Sequence, residues 1–290
     1  MKQTTRIAIG LGVLFALIVC VIVSLLILAN IRGPVSVNPF RSSTTVTTYK
    51  DKREIVCWGD SLTEGIGASG AIIRRDSGLF NASFLSYPEI LELLTGIRTF
   101  NFGVSGATSA EIAYMQGGYE LEGELEDYPG IREEVMQLGA QHKGDILVIE
   151  MGSNGGWEEG YEQLIEQYHA MIDHAGCTQY IIVGDTDDPG FSYAGLDDWP
   201  QDYGLGVEET AWEVALREEF GEHFINMRLF LVEHGLEVAG LTPNEEDEEY
   251  TLLGWVSDQL RSDWTHLNSY GYYAQAVGVY EKGRELGYWE

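Results

Sequence analysis

The sequence predicts an α/β domain in which a five-stranded parallel sheet is covered by helices on both sides. Two observations carry that expectation. Short apolar runs alternate with longer segments of helical periodicity, and the apolar runs are continuous, as in strands buried on both faces. A third feature stands outside the pattern. Residues 7–29 form a 23-residue run without charge, in which Ser24 is the one polar side chain.

From the N-terminus, a helix over that run would span the ~30 Å core of a bilayer at ~1.5 Å per residue. A cleaved signal peptide is the rival reading. Its apolar core is typically ~7–15 residues with a small-residue cleavage site; here the run is longer, and the tolerable cleavage point follows Ala29. The expected organisation is a short cytoplasmic N-terminus at 1–6, a transmembrane signal-anchor at 7–31 and a linker at 32–52. The linker is rich in Pro, Ser and Thr. Lys2 and Arg6 before the run and Arg32 after it favour an inside N-terminus. The domain at 53–290 is then expected outside the cytoplasm, tethered to the cell membrane by one pass, or secreted if the segment is cleaved.

Within the domain, strands are expected at 54–58, 99–104, 145–151, 179–183 and 224–227. Helices are clearest at 87–95, 156–174, 208–220 and 269–285. In the second of these, Leu164, Ile165, Tyr168, Met171 and Ile172 share one face. Two segments interrupt the alternation. Residues 185–206 are rich in aromatics, Gly and Asp, and residues 240–262 carry an acidic run at 245–249. Long loops near the edge of a sheet serve as substrate walls or lids, or simply as irregular surface. The acidic run lacks an EF-hand pattern and reads as a solvated charged loop.

Charge and cysteine content exclude some functions. The formal net charge is −29, and beyond residue 40 the chain holds 14 of its 17 basic residues against all 46 acidic ones. Such a surface repels nucleic acid and anionic headgroups. Cys20 lies in the apolar run, and Cys57 and Cys177 lie in or beside strands, so no disulfide framework is implied.

In an open parallel sheet, ligands bind beyond the C-terminal strand ends. There the chain reads Gly59-Asp60-Ser61-Leu62, then Asn101-Phe102-Gly103-Val104-Ser105-Gly106, then Gly152-Ser153-Asn154-Gly155. Before the last helix comes Asp263-Trp264-Thr265-His266-Leu267-Asn268. Acyl transfer by a hydroxyl needs an exposed serine, an imidazole to take its proton, a carboxylate to orient that imidazole, and donors for the oxyanion. Ser61 alone reads as a helix cap; in this company it is a candidate nucleophile. His266 is the candidate base and Asp263 its orienter. The Ser61 and Gly103 N–H groups and the Asn154 amide are candidate oxyanion donors.

These blocks, G-D-S-L, N-x-G-x-S-G, G-x-N and D-x-x-H-L-N in this order, resemble the SGNH, or GDSL, hydrolase superfamily of esterases, lipases and acetylesterases. The resemblance runs from residue 53 to about 285. It implies a three-layer α/β/α flavodoxin-like fold, a catalytic Ser61 and His266 with Asp263 as the acid, and Gly103 and Asn154 in the oxyanion hole. Asp60 belongs to the first block without an implied catalytic role. The third block is usually G-x-N-D, and Gly155 replaces that aspartate, which bears on loop geometry and subfamily.

Of the other histidines, His169 has a carboxylate three positions earlier, Glu166, but inside an amphipathic helix. His169, Asp173 and His174 lack the further spacing of a metal site. No metal or organic cofactor is expected. The expected activity is hydrolysis of small acyl esters, acetyl foremost, on a small molecule or polysaccharide. Tyr193, Trp199, Tyr203 and Trp255 could stack on sugar rings or simply pack. Lipase or lysophospholipase action, acyl transfer, and an idle carbohydrate-binding module remain alternatives. A base that must be neutral makes activity fall on the acid side of neutrality.

Overall fold

A computed structural model of the chain describes residues 49–75, 78–186 and 208–290, all within the compact unit Pro39–Glu290. The apolar run at 7–29 lies outside the described residues, as do most of the 185–206 loop and its Tyr193, Trp199 and Tyr203. Among the described residues no helix is long and apolar enough to cross a membrane.

The strands are β1 (Glu54–Gly59), β2 (Ile72–Arg75), β3 (Gly78–Asn81), β4 (Arg98–Gly103), β5 (Ile146–Glu150), β6 (Gln179–Val183) and β7 (Phe224–Ile225). Five of them form one sheet in the order β4-β1-β5-β6-β7, and every pairing is parallel. Without the β2–β3 hairpin this is the 2-1-3-4-5 order of flavodoxin-like folds. The helices are α1 (Ser61–Glu64), α2 (Tyr87–Thr95), α3 (Ser109–Gln116), α4 (Glu133–Gly139), α5 (Tyr161–Ala175) and α6 (Ala211–Phe220). They continue with α7 (Met227–Phe230), which passes through a π-helical turn into α8 (Leu236–Ala239), then α9 (Glu245–Leu253) and α10 (Ser269–Glu285).

Alternate strand residues feed two cores. Ile55, Cys57, Ile146, Val148, Ile181 and Val183 pack with Ile90 and Leu91 of α2 and Tyr272 and Val279 of α10. On the other face Trp58 meets Phe102 at 4.6 Å between ring centroids. A Cβ on Gly139 of α4 would lie 2.5 Å from the Trp58 ring, so that helix sits directly on the strand. Burying each such apolar side chain is worth roughly 1.5–3 kcal/mol. Helices on both faces give the three layers.

The structure departs from the sequence reading in several places: the helices expected at 156–174 and 208–220 begin at Tyr161 and Ala211, and residues 227–239 are helical. The antiparallel β2–β3 pair was not expected, because it turns little more than Ile73 and Phe80 inward. Helices α3 and α4 fill a stretch without an obvious apolar stripe; α3 is buried nearly all round. The acidic run is a helix and not a loop, with all of its residues but Asp247 exposed. Asn244 caps α9, its side chain accepting from the Glu246 and Asp247 N–H groups. Asp247 is buried and accepts from Asn244 N, Ser257 Oγ and Gln259 Nε2. Burial pushes its carboxyl up, but these hydrogen bonds outweigh that and hold it below the usual carboxylate range.

Candidate active site

The C-terminal ends of β1, β4 and β5 turn into loops along one edge of the sheet. At the first, Asp60 and not Ser61 caps the following helix: its Oδ1 accepts from Leu62 N at 3.0 Å. Ser61 is therefore the first residue of α1, where a backbone N–H has no intrahelical acceptor. Gly65 and Ile66 both donate to Ser61 O at 3.0 Å, closing the turn. Ser61 is 7% exposed.

Gly103, expected as an oxyanion donor, has its amide engaged. Its N–H is given to Asn101 Oδ1 at 2.8 Å, and a Cβ there would lie 2.1 Å from Glu64 N. This glycine lets α1 pack on β4. Three residues on, Gly106 has φ +76° and open space where a Cβ would stand. It lies in a turn closed by Ala107 N donating to Val104 O at 3.0 Å, and its own N–H has no acceptor among the described residues. Both glycines fall in the N-x-G-x-S-G block, which cannot say which amide is occupied.

Asn154 lies beside these loops. Its Nδ2 is 3.2 Å from Asp60 Oδ2 and 3.3 Å from Ala107 O. Gly155 takes φ +79°, a conformation that suits glycine. Its carbonyl accepts from both the N–H and the hydroxyl of Ser109, so the third loop is tied to the start of α3 without the usual aspartate.

His266 and Asp263 form a compact turn. His266 Nδ1 is 2.9 Å from Asp263 Oδ2 and 3.1 Å from Oδ1. The Thr265 and His266 backbone N–H groups also donate to Asp263 Oδ1, at 2.9 and 2.7 Å. Burial raises the Asp263 carboxyl, but the His266 and Thr265 hydrogen bonds prevail and hold it below the usual range. Arg261 braces the turn from beneath, donating to the carbonyls of Trp264 and Thr186 at 3.0 Å each. His266 Nε2 makes no hydrogen bond among the described residues, and none joins it to Ser61 Oγ; such bonds often tighten only with substrate. The turn docks on the chain leaving α1. A Cβ on Gly67 would touch Ser262 Oγ, and Tyr272 donates to Ile66 O.

Two buried carboxyls lie under the site. Burial pushes Asp60 up to about 6; hydrogen bonds from Leu62 N–H and Ser153 oppose this, Asp185 adds to it and His266 opposes it. Glu150, the last residue of β5, is pushed well above the carboxylate range by burial, then by the nearby Asp60 and Asp185. It accepts from Thr63 Oγ1 at 3.3 Å and Gln275 Nε2 at 2.8 Å. The sequence reading gave neither a role. The available signal was a carboxylate ending the apolar run Ile-Leu-Val-Ile.

Three of the remaining histidines are engaged elsewhere. His169 bonds Glu219 at 2.6 Å on the surface, not Glu166. His142 pairs with Glu54, and His223 faces Tyr180 O and Tyr288. Among the described residues no group of three His, Cys, Asp or Glu side chains could hold a metal.

The fold is a doubly wound parallel sheet with a serine and a side-chain amide at its strand ends and a His–Asp pair before its last helix. The GDSL-like lipase/acylhydrolase family model matches residues 57–274, and the chain is a member of that family and a serine ester hydrolase. A comparison with curated proteins finds no match. Among solved structures, it is similar to a G-D-S-L-family lipolytic protein from Desulfitobacterium hafniense, at 14% identity over 79% of this chain and 99% of that one, TM-score 0.44. It is also similar to a carbohydrate esterase family 2 enzyme with a carbohydrate-binding domain from Corynascus thermopiles (Myceliophthora fergusii). There the identity is 14% over 82% of this chain and 67% of that one, TM-score 0.46. The membership rests on the family model.

Proposed function

We propose that this chain is a membrane-anchored, extracytoplasmic esterase that removes a small acyl group, acetyl foremost, from a carbohydrate ester. Ser61 Oγ attacks the ester carbonyl while His266 Nε2 takes its proton. Asp263 orients the imidazole through Nδ1 and stabilises its charge. The oxyanion is received by the Ser61 and Gly106 N–H groups and by Asn154 Nδ2. The proton on His266 passes to the departing alcohol. A water then gives its proton to His266 and attacks the acyl-enzyme, releasing the acid and restoring Ser61.

One observation carries the reading: Nδ1 of His266 is fully engaged by Asp263 while Nε2 has no hydrogen-bond partner among the described residues, in a turn packed on Gly67 of the chain leaving the Ser61 helix. The carbohydrate half is supported by the acidic surface, which disfavours anionic lipid, and by Trp264. That indole is 71% exposed two residues before His266 and can stack on a sugar ring. The membrane location rests on the apolar run at 7–29. Hydrolysis of p-nitrophenyl acetate and octanoate, with acetate release from acetylated polysaccharides, tests the reading. Expected is Ser61-dependent release that favours acetyl. Faster cleavage of octanoate would assign the site to lipid esters, and hydrolysis unchanged in Ser61→Ala would remove it.

A further inference from the structure

We propose that Asp60, together with the Ser153 hydroxyl, is the positioning group that aims the Asn154 amide at the reacting carbonyl. This rests on the esterase reading above and adds to it a residue that touches neither substrate nor nucleophile.

A side-chain amide is nearly symmetric in shape, and its two ends have opposite functions. An oxyanion donor must present NH2; the carbonyl end would repel the developing charge. At Asn154 the choice is made by its neighbours. Asp60 Oδ2 at 3.2 Å and Ala107 O at 3.3 Å both accept, so the amide must turn its nitrogen toward them. Of the two, Ala107 O adjoins Gly106. An oxyanion forming there draws on the hydrogen now given to Ala107 O, while Asp60 keeps the other.

Asp60 is itself immobilised. Its Oδ1 accepts from Leu62 N at 3.0 Å and its Oδ2 from Ser153 Oγ at 2.9 Å. One carboxylate thus joins the turn that carries Ser61 to the loop that carries Asn154, across 94 residues of sequence. It is 1% exposed, so water does not compete for these bonds, which gain strength in a low dielectric. Ser153 has a particular part in this chain. With Gly155 in place of the usual aspartate, the side-chain ties of the third loop to the nucleophile turn come from Ser153 and Asn154, and both end on Asp60. Glu150 on β5, Asp185 beyond β6 and His266 before α10 are the ionisable groups whose charges reach Asp60.

A kinetic double-mutant cycle tests this. Removing an oxyanion donor typically costs ~10²–10³ in kcat, so Asn154→Ala is expected to lower kcat about 10²-fold with KM within about threefold. Asp60→Asn keeps the shape and the helix cap but opposes an NH2 to the Asn154 amide, and is expected to match that loss. The double variant is expected to be no more than about threefold worse than Asn154→Ala, because the two residues act as one unit. Losses that multiply, or wild-type kcat in Asp60→Asn, would overturn the proposal. Should Asp60→Asn not fold, Ser153→Ala carries the test. It should lower kcat several-fold in the wild type and leave Asn154→Ala unchanged; an equal loss in both backgrounds would overturn the proposal. Failure of the esterase reading is separate, since it appears as activity independent of Ser61.

Discussion

The two sides of the candidate site are built by opposite means. On the serine side, Asp60 and Ser61 are 1% and 7% exposed, and Asp60 Oδ2 takes its hydrogen bonds from a loop more than 90 residues away. On the histidine side, the His266 and Asp263 side chains are 22% and 46% exposed, and Asp263 is satisfied by groups within three residues of itself. The first side exists only once the sheet has formed. The second is mainly a local turn that the fold has to place. Burial tunes the carboxyls of the serine side, whereas hydrogen bonding tunes Asp263.

The contrast orders the consequences of substitution. Ser61→Ala should abolish turnover, by at least ~10⁴-fold, with the fold intact by circular dichroism. Asp263→Asn should cost less than the ~10⁴ seen when a buried triad carboxylate is changed. Its place is exposed and its backbone bonds survive, so a loss of about 10²-fold in kcat/KM with only a small fall in Tm at neutral pH is expected. An equal loss to that of Ser61→Ala would erase the distinction between the sides.

The two glycines separate packing from chemistry. Gly103→Ala drives a methyl into the α1 backbone and should destabilise by ~3 kcal/mol, read by denaturant unfolding. Gly106→Ala meets open space and carries only the strain of positive φ, ~1–2 kcal/mol, so its loss of stability should be the smaller and should come with a fall in kcat. Beneath them, Glu150→Gln removes a carboxyl whose charge burial disfavours and should change stability by less than ~1 kcal/mol, whereas Glu150→Ala takes the acceptor from Thr63 and Gln275 and should cost ~2–4 kcal/mol.

The smallest expected effect is on pH dependence. The folded state holds the Asp60 proton up to about 6, above the ordinary ~3.9. Its contribution to stability is fully present below the ordinary value and is lost as pH rises through about 6. Asp263, held low, works the other way: its contribution is present above the ordinary value and lost as pH falls below it. Thermal melts from pH 2 to 7 should therefore lose part of their pH dependence between about 4 and 6 in Asp60→Asn, while Asp263→Asn should alter only the limb below about 4.

Legibility in the sequence followed the same division. The helices at 87–95 and 269–285 and the strand at 179–183 matched the structure at both ends, because long amphipathic or continuous apolar patterns report burial directly. Helix α3 did not, since a helix buried on most sides has no polar face to reveal its period. Its signal was a capping box, Thr108 with Glu111, and Asn244 with Asp247 marked α9 in the same way. In the candidate site, the His266–Asp263 pairing was legible because it is local. Which glycine amide is free, and what Asp60 holds, depend on contacts across the sheet edge that spacing does not encode.

The most direct measurement is covalent labelling of the folded protein with a fluorophosphonate, followed by peptide mass spectrometry. Expected is a single adduct on Ser61, formed at least ~10²-fold more slowly in His266→Ala, where the base is lost. Absence of an adduct on Ser61, or labelling of Ser61 at the same rate without His266, would contradict a Ser61 nucleophile activated by His266.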